Sequence, residues 1–599
     1  MKFLLRFGIT LFVVGTLAQA QTTFNLIMAL SGGEQNPSVT TNGYGYGWGI
    51  LDLNQHKLTY AVAYDSLSGP PTAAHFHLGA QGVNGSPIHS ITFDTNGVAM
   101  EEWTNIPDTT LAHILMGRVY CNIHTAAHSG GEIRGQLQYS GPFTFPIFAT
   151  AANQIPALTE GGEAVGFAMY SSGIFSVYGV YKGLTGPPTG MHIHYGGTGQ
   201  SGTVAIPVSH VGSLISGAGA MPNDSSFRLL LSSNLYFNIH TTAHSGGEIR
   251  GQLNGTRFYP FYASMDGAQS VPSNASEAKG LFVARYDVMK NQIEYGSQIE
   301  GVTPTGAHIH AGAPGENGNV MIPLGYSSTG YTETKDVGVT PVDSLLRLFC
   351  TLGAYVNVHS AAFSGGEIRG QILPAYNPVS FAFLDSAQQV PETNSSATGA
   401  ALFSFGSGQE MSYSLVVGGL TGPASAAHIH AGAPGESGSP VIPLTVNVLD
   451  ETIADVSDTT MIQLLRGGSH YVNVHTAAFS GGEIRGDIFA VDGGDDNGPT
   501  AVESKNTGGT IPQAFILEQN YPNPFNPSTT INYQLPVNAA VTVKVYDLVG
   551  REVATLVNAE QEAGNYTVKF NASQLSSGMY FYQLKAGMSV STKKMLLLK

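Results

Sequence analysis

Histidines separated by a single residue recur four times in this chain: AAHFH at 73–77, GMHIH at 190–194, GAHIH at 306–310 and AAHIH at 426–430. A longer string follows each pair: YCNIHTAAHSGGEIRGQL (120–137), YFNIHTTAHSGGEIRGQL (236–253), YVNVHSAAFSGGEIRGQI (355–372) and YVNVHTAAFSGGEIRGDI (471–488). Alternate side chains of a β-strand share a face. His75 and His77 therefore look one way and Phe76 the other. Tyr120, Asn122 and His124 likewise oppose Cys121 and Ile123, and Glu132 and Arg134 oppose Ile133. Neighbouring strands lie ~4.8 Å apart, close enough for the third imidazole to join the first two. Three converging imidazoles suit Cu or Zn, bound at ~2.0–2.1 Å. The glutamate that follows is a candidate fourth ligand, or a carboxylate acceptor for an imidazole N–H.

The candidate metal residues are His75, His77, His124 and Glu132 in the first copy and His192, His194, His240 and Glu248 in the second. The third copy offers His308, His310, His359 and Glu367, and the fourth His428, His430, His475 and Glu483. Twelve of the 19 histidines occupy these positions. His128 and His244 give way to Phe363 and Phe479 in the later copies and look incidental. A second reading stands beside the metal: the same side chains can form a hydrogen-bonded surface network that holds loops onto a sheet. No catalytic residue set is assigned.

The elements that position these residues read as strands. Glycine is abundant (75 of 599 residues), β-branched and aromatic residues alternate in short runs, and long helical periodicity is absent. A chain of this length forms several domains. The pairs recur about every 117 residues, a length that suits an independent β-domain better than a solenoid unit. The copies run over 22–140, 141–257, 258–375 and 376–490. Each opens with an apolar strand and a glutamine near a proline: Gln35, Gln154, Gln269 and Gln389. Residues 491–514, glycine-rich and acidic, form a linker, and 515–599 a distinct segment of alternating strands.

At the N-terminus, Lys2 and Arg6 precede an apolar stretch, Phe7–Leu17, and a small-residue cleavage motif, Ala18-Gln19-Ala20. Residues 1–20 are a signal peptide on this pattern. No later apolar run is long enough to span a bilayer as a helix, so no transmembrane segment is expected in the mature chain. The net charge of −16 and the lack of a basic stripe argue against nucleic acid. Two cysteines cannot build a disulfide framework, and Cys121, aligned with Phe237, Val356 and Val472, reads as a small buried hydrophobe.

The paired strings AAHIHAGAPG and YVNVHTAAFSGGEIRG resemble those of the chordin-type, or CHRD, domain in all four copies. The resemblance implies an immunoglobulin-like β-sandwich. The strings NYPNPFNPST (520–529), VYDLVGREVATL (545–556), LSSGMYFYQL (575–584) and KKMLLLK (593–599) are similar to the type A sorting domain of the type IX secretion system. That likeness implies export by the type IX machinery, and release or attachment at the outer cell surface. A further likeness links GMHIH and the later histidine string to the copper-binding strands of Cu/Zn superoxide dismutase. It would make His192, His194 and His240 copper ligands and Arg250 an anion-guiding arginine. No histidine to bridge two metals follows the pair over 311–358 in copy three or 431–469 in copy four, and no zinc-ligand set recurs.

The expectation is an all-β protein, a tandem array of four immunoglobulin-like or dismutase-like β-sandwich domains with a small C-terminal β-sandwich. It is secreted or displayed at the surface and serves binding or structure, with one mononuclear Cu or Zn site per repeat and an extracellular protein or glycan as ligand. The alternative is a metalloenzyme of superoxide-dismutase type.

Overall fold

The computed structural model describes residues 23–490, apart from 172–173, 256–257, 288–291, 327–330, 337–341, 376 and 407–409, together with parts of 501–597. The expected signal peptide and most of the linker lie outside the described residues.

Repeat 1 shows the plan. Its strands are β1 (Thr23–Ser31), β2 (Tyr44–Asp52), β3 (Lys57–Asp65), β4 (Pro71–Leu78), β5 (Pro87–Ser90), β6 (Val98–Trp103), β7 (Val119–Thr125) and β8 (Ile133–Tyr139), with α1 (Asp108–Leu115) before β7. All pairings are antiparallel, in the order β5-β4-β7-β8-β1-β2-β3-β6. The sheet folds over at β8–β1, which pair through Ser31 and Arg134 at one end and Leu26 and Tyr139 at the other. In repeat 4 the halves are separate five- and four-stranded sheets, joined at Asp385 and Arg485 by an isolated bridge. The two halves are therefore the layers of a β-sandwich.

Period-two alternation fills the space between the layers. Phe24, Leu26 and Met28 of β1, Leu58, Tyr60 and Val62 of β3, Phe76 of β4, and Cys121 and Ile123 of β7 all bury there. Helix α1 adds Leu111, Ala112, Ile114 and Leu115 at the open edge. A short helix recurs in each repeat, at Asp224–Leu231, Val342–Cys350 and Asp458–Arg466. The sequence reading contained no helix. Eight or nine residues are only about two turns, and packing rather than propensity stabilises helices this short. Both cysteines are free and buried, and burial pushes their thiols well up. Cys121 is the small core residue its alignment suggested.

The repeats are not separate beads. The outer face of β2–β3 is apolar and packs on the matching face of repeat 2: Trp48, Ala61, Ala63 and Val98 meet Val165 and Val180. Trp48 Nε1 donates to the Ile147 carbonyl at 3.0 Å. Repeats 3 and 4 form an equivalent seam from Leu281 and Val283 against Phe381, Ala400, Leu402 and Val416. Helices make the other seams. The helices of repeats 2 and 3 touch, and beside them Phe143 stacks on Tyr259 at 5.2 Å. Helix α1 packs on the helix of repeat 4, where Arg466 grips Asp108 at 2.7 Å and His113 lies 3.2 Å from Asp458. Each repeat thus meets two others, and the chain of contacts closes from repeat 4 back to repeat 1.

The C-terminal segment has its own core, including Ile531, Val543, Val568, Tyr582 and Leu584. Its strands form two four-stranded antiparallel sheets. One contains Ser528–Leu535 and Gly564–Asn571, the other Ala539–Tyr546 and Gly578–Ala586. Among the described residues, no helix is long and apolar enough to cross a membrane.

Candidate metal centre

Strands β4 and β7 are direct neighbours, with His75 opposite Asn122 and Ala73 opposite His124. That register gathers the three imidazoles on the outer face of the sandwich. His75, His77 and His124 each offer a nitrogen, and these atoms lie within 4.8 Å of one another. The same holds for His192, His194 and His240, for His308, His310 and His359, and for His428, His430 and His475.

Two of the three rings in each triad are aimed by backbone carbonyls. Nδ1 of the second histidine donates to a glycine carbonyl: His77 to Gly85 at 2.9 Å, His194 to Gly202 at 3.0 Å, His310 to Gly318 at 3.0 Å and His430 to Gly438 at 2.9 Å. Nδ1 of the third donates to a serine carbonyl: His124 to Ser129, His240 to Ser245, His359 to Ser364 and His475 to Ser480, at 2.9–3.0 Å. A carbonyl only accepts, so the proton sits on Nδ1 and the Nε2 lone pair is left facing the cluster. In repeats 1, 3 and 4, both Nε2 atoms and Nδ1 of the first histidine are buried without a hydrogen-bond partner. In repeat 2 Nδ1 of His192 is likewise unpartnered, while Nε2 of His194 and of His240 face each other at 3.3 Å. Two nitrogens bound to one ion at ~2.0–2.1 Å would sit roughly 3.3–3.6 Å apart.

Burial lowers the pKa of both histidines of every pair, and neighbouring histidines lower it further. Neutral rings at neutral pH are the ligating form. Glycine makes the carbonyl contacts feasible. A Cβ on Gly85 would lie 1.4 Å from the Leu78 carbonyl oxygen, and one on Gly131, at φ +120°, 2.2 Å from Asn122 Oδ1.

The four glutamates are on the expected face but outside the cluster. Glu132 accepts from Thr125 Oγ1 (2.7 Å), Thr41 Oγ1 (2.5 Å), Ser68 Oγ (2.5 Å) and the Ser68 amide (2.8 Å). Burial alone would raise its pKa, but these donors outweigh it and hold the carboxyl at about 2. Glu248 and Glu483 sit in matching hydroxyl cages, and Glu367 accepts from Ser276. With their oxygens so engaged, Glu132, Glu248 and Glu483 tie the strand of the third histidine to the turn before the histidine-pair strand instead of reaching the imidazoles.

The arginines are interior struts. Arg134 lies 3.4 Å over the Tyr120 ring, whose other neighbour, His77, stacks at 5.0 Å. Its Nη2 donates to the Ala80 and Val83 carbonyls. Arg250, matched by resemblance to an anion-guiding residue, is 3% exposed and gives its protons to Gln200, Gly197 and Gln252. That role does not fit a guanidinium buried under its own loop.

The sequence reading did not identify the hydroxyl cage, nor the amide pair behind the triad. Gln35 Nε2 donates to Asn122 Oδ1 at 2.6 Å, and Asn122 Nδ2 to the Gly130 carbonyl. Gln154 and Gln389 bond Asn238 and Asn473 in the same way. The recurring glutamine near a proline was the visible signal. In repeat 3 the equivalent position is Ser270, whereas Gln269 donates to the Ser264 carbonyl.

The CHRD domain model matches residues 26–137, 145–253, 261–372 and 381–488. The secretion system C-terminal sorting domain model matches 519–598, so the protein is secreted or held at the cell surface. No curated protein matches. Among solved structures, the chain is similar to a Salmonella alpha-2-macroglobulin reacted with methylamine (9% identity, 97% of this chain and 40% of that one, TM-score 0.12). It is also similar to PorZ of Porphyromonas gingivalis, a type IX surface component (10%, 92% and 69%, TM-score 0.11), and to the eight N-terminal Ig domains of Down Syndrome Cell Adhesion Molecule (8%, 96% and 80%, TM-score 0.13). The chain spans about two fifths of the alpha-2-macroglobulin. At these scores none of the three bears on fold or function.

Proposed function

The chain belongs to the CHRD domain family, and from that premise we propose that it is a surface-exposed metal-binding array, with one mononuclear Cu or Zn ion held by three imidazoles in each repeat. One observation carries the reading: three histidine nitrogens converge in all four copies, all three of them buried and unpartnered in repeats 1, 3 and 4, with two of the three rings aimed by carbonyls. Leaving such atoms unpaired costs about 1–3 kcal/mol each, and a metal removes that cost. Three protein nitrogens leave a coordination position open. The ion therefore has room for an outside ligand, which fits a binding role at the cell surface.

Metal analysis tests the reading. Titrated to saturation with Zn²⁺ or Cu²⁺, the purified full chain should bind four ions. His77→Ala should bind three. Binding of none by the wild type, with either metal, would leave the imidazoles as structural groups.

A further inference from the structure

The four triads are alike, but their supports are not. In repeats 1, 2 and 4 the turn before the histidine-pair strand runs from a residue of positive φ (Ser66, Gly183, Gly419) through a hydroxyl (Ser68, Thr185, Thr421) to a Gly-Pro step. That hydroxyl and the backbone amide beneath it both donate to the glutamate. A second hydroxyl, directly after the third histidine, donates to the same carboxylate from the other strand. One buried carboxylate thereby clamps together the two strands that carry the imidazoles.

Repeat 3 lacks this clamp. Its turn, EGVTPTG against KGLTGPPTG in repeat 2, is two residues shorter, and among the described residues Thr303 makes no counterpart of the bonds that Ser68, Thr185 and Thr421 give their glutamates. Ser360, which follows the third histidine, accepts from the Phe363 amide. Among the described residues, the Glu367 carboxylate accepts from Ser276 alone, and the residue is 8% exposed where the other three glutamates are 0%. The glutamine–asparagine pair is missing as well, because Ser270 stands in the glutamine position and bonds the Glu367 carbonyl. The rings of His308, His310 and His359 still meet at 5.1–5.9 Å, as in the other repeats.

We infer that the repeat 3 site is the weak, exchangeable member of the array, a 3 + 1 set in which three sites retain their ion and one releases it. The inference rests on the metal reading above. Groups that orient metal ligands typically change affinity 10–100-fold. Repeat 3 keeps the carbonyls that aim its rings but lacks the clamp and the amide pair that brace the strands carrying them, so its affinity should be at least about tenfold below that of repeat 1.

The experiment uses full-length chains in which one triad survives. His194→Ala, His310→Ala and His430→Ala together leave repeat 1; His77→Ala, His194→Ala and His430→Ala leave repeat 3. Zn²⁺ affinity is read by chelator competition, and folding by circular dichroism. Repeat 3 should bind at least about tenfold more weakly than repeat 1. Inserting Gly-Pro after Thr303 together with Ser360→Thr should recover most of the difference in affinity. Equal affinities, or a rescue that changes melting but not affinity, would overturn the 3 + 1 set while leaving metal binding intact. Failure of both single-triad chains to bind would overturn the metal reading, and the inference with it.

Discussion

The two layers of a repeat obey one alternation rule and differ in what their outer faces meet. Strands β4, β7 and β8 turn Phe76, Cys121, Ile123 and Ile133 inward and place histidine, asparagine, glutamate and arginine outward. Strands β2 and β3 also fill the core from one face, but their other face carries Tyr46, Trp48, Ala61 and Ala63 and is covered by the next repeat. One layer thus presents chemistry and the other builds the assembly. The inner residues of the first layer should be the costliest to truncate. Phe76→Ala removes a fully buried ring in edge contact with Tyr60 and should lower stability by about 4 kcal/mol, read by denaturant unfolding.

The contrast also explains what was legible in the sequence. The histidine layer could be read because polar and apolar residues alternate cleanly, so the strings GMHIH and YCNIHT reveal both faces. The seam layer reads as LTYAVAY, with few polar positions to mark an outside. Such a run signals burial on both faces, but it does not say what covers the second one. The contact between α1 and the helix of repeat 4 joins residues such as Asp108 and Arg466, which are 358 positions apart, and no local pattern announces it. The glutamates stay open between ligand and loop support in the sequence for a related reason. Spacing placed them on the right face, but their distance from the imidazoles depends on hydroxyls contributed by two other loops.

A seam variant should separate the layers. Trp48→Ala removes a side chain that is 4% exposed, together with its hydrogen bond to Ile147. The loss should be on the order of 3 kcal/mol, appearing as earlier unfolding and increased binding of a hydrophobic dye. Metal stoichiometry should not change, because the triads lie on the other layer. A seam variant that lost ions would show the two faces to be coupled.

Acid should affect the layers unequally. For Glu132 the folded pKa of about 2 lies below the ordinary 4.5, so the unfolded chain binds the proton first. Its stabilisation is complete above pH ~4.5 and is lost as pH falls toward 2. The eight paired histidines are also depressed, below 6.5. The metal-free protein should therefore begin to lose stability as pH drops through 6.5 and lose more below 4.5. Glu132→Gln should be less stable at neutral pH and show a shallower loss below 4.5, while the step nearer 6.5 remains. Thermal melts across pH 2–8 read both steps.

The smallest effect on stability belongs to the residue that opens the histidine pattern. His75 is only partly buried, and its Nδ1 lacks a hydrogen-bond partner. Truncation forfeits some packing but also removes a buried polar atom, and the two terms oppose each other. His75→Ala should therefore shift metal-free stability by less than about 1 kcal/mol. Its effect on the ion should be large, because two imidazoles with no carboxylate in reach make a poor site. Phe76, one residue along the same strand, should give the reverse pattern, with a large change in melting and an ion still retained by the folded fraction. Calorimetry and chelator competition on the two variants measure both quantities. If His75→Ala destabilised the metal-free protein as much as Phe76→Ala, the outer face of β4 would be holding the fold together, and the division of labour between the layers would not stand.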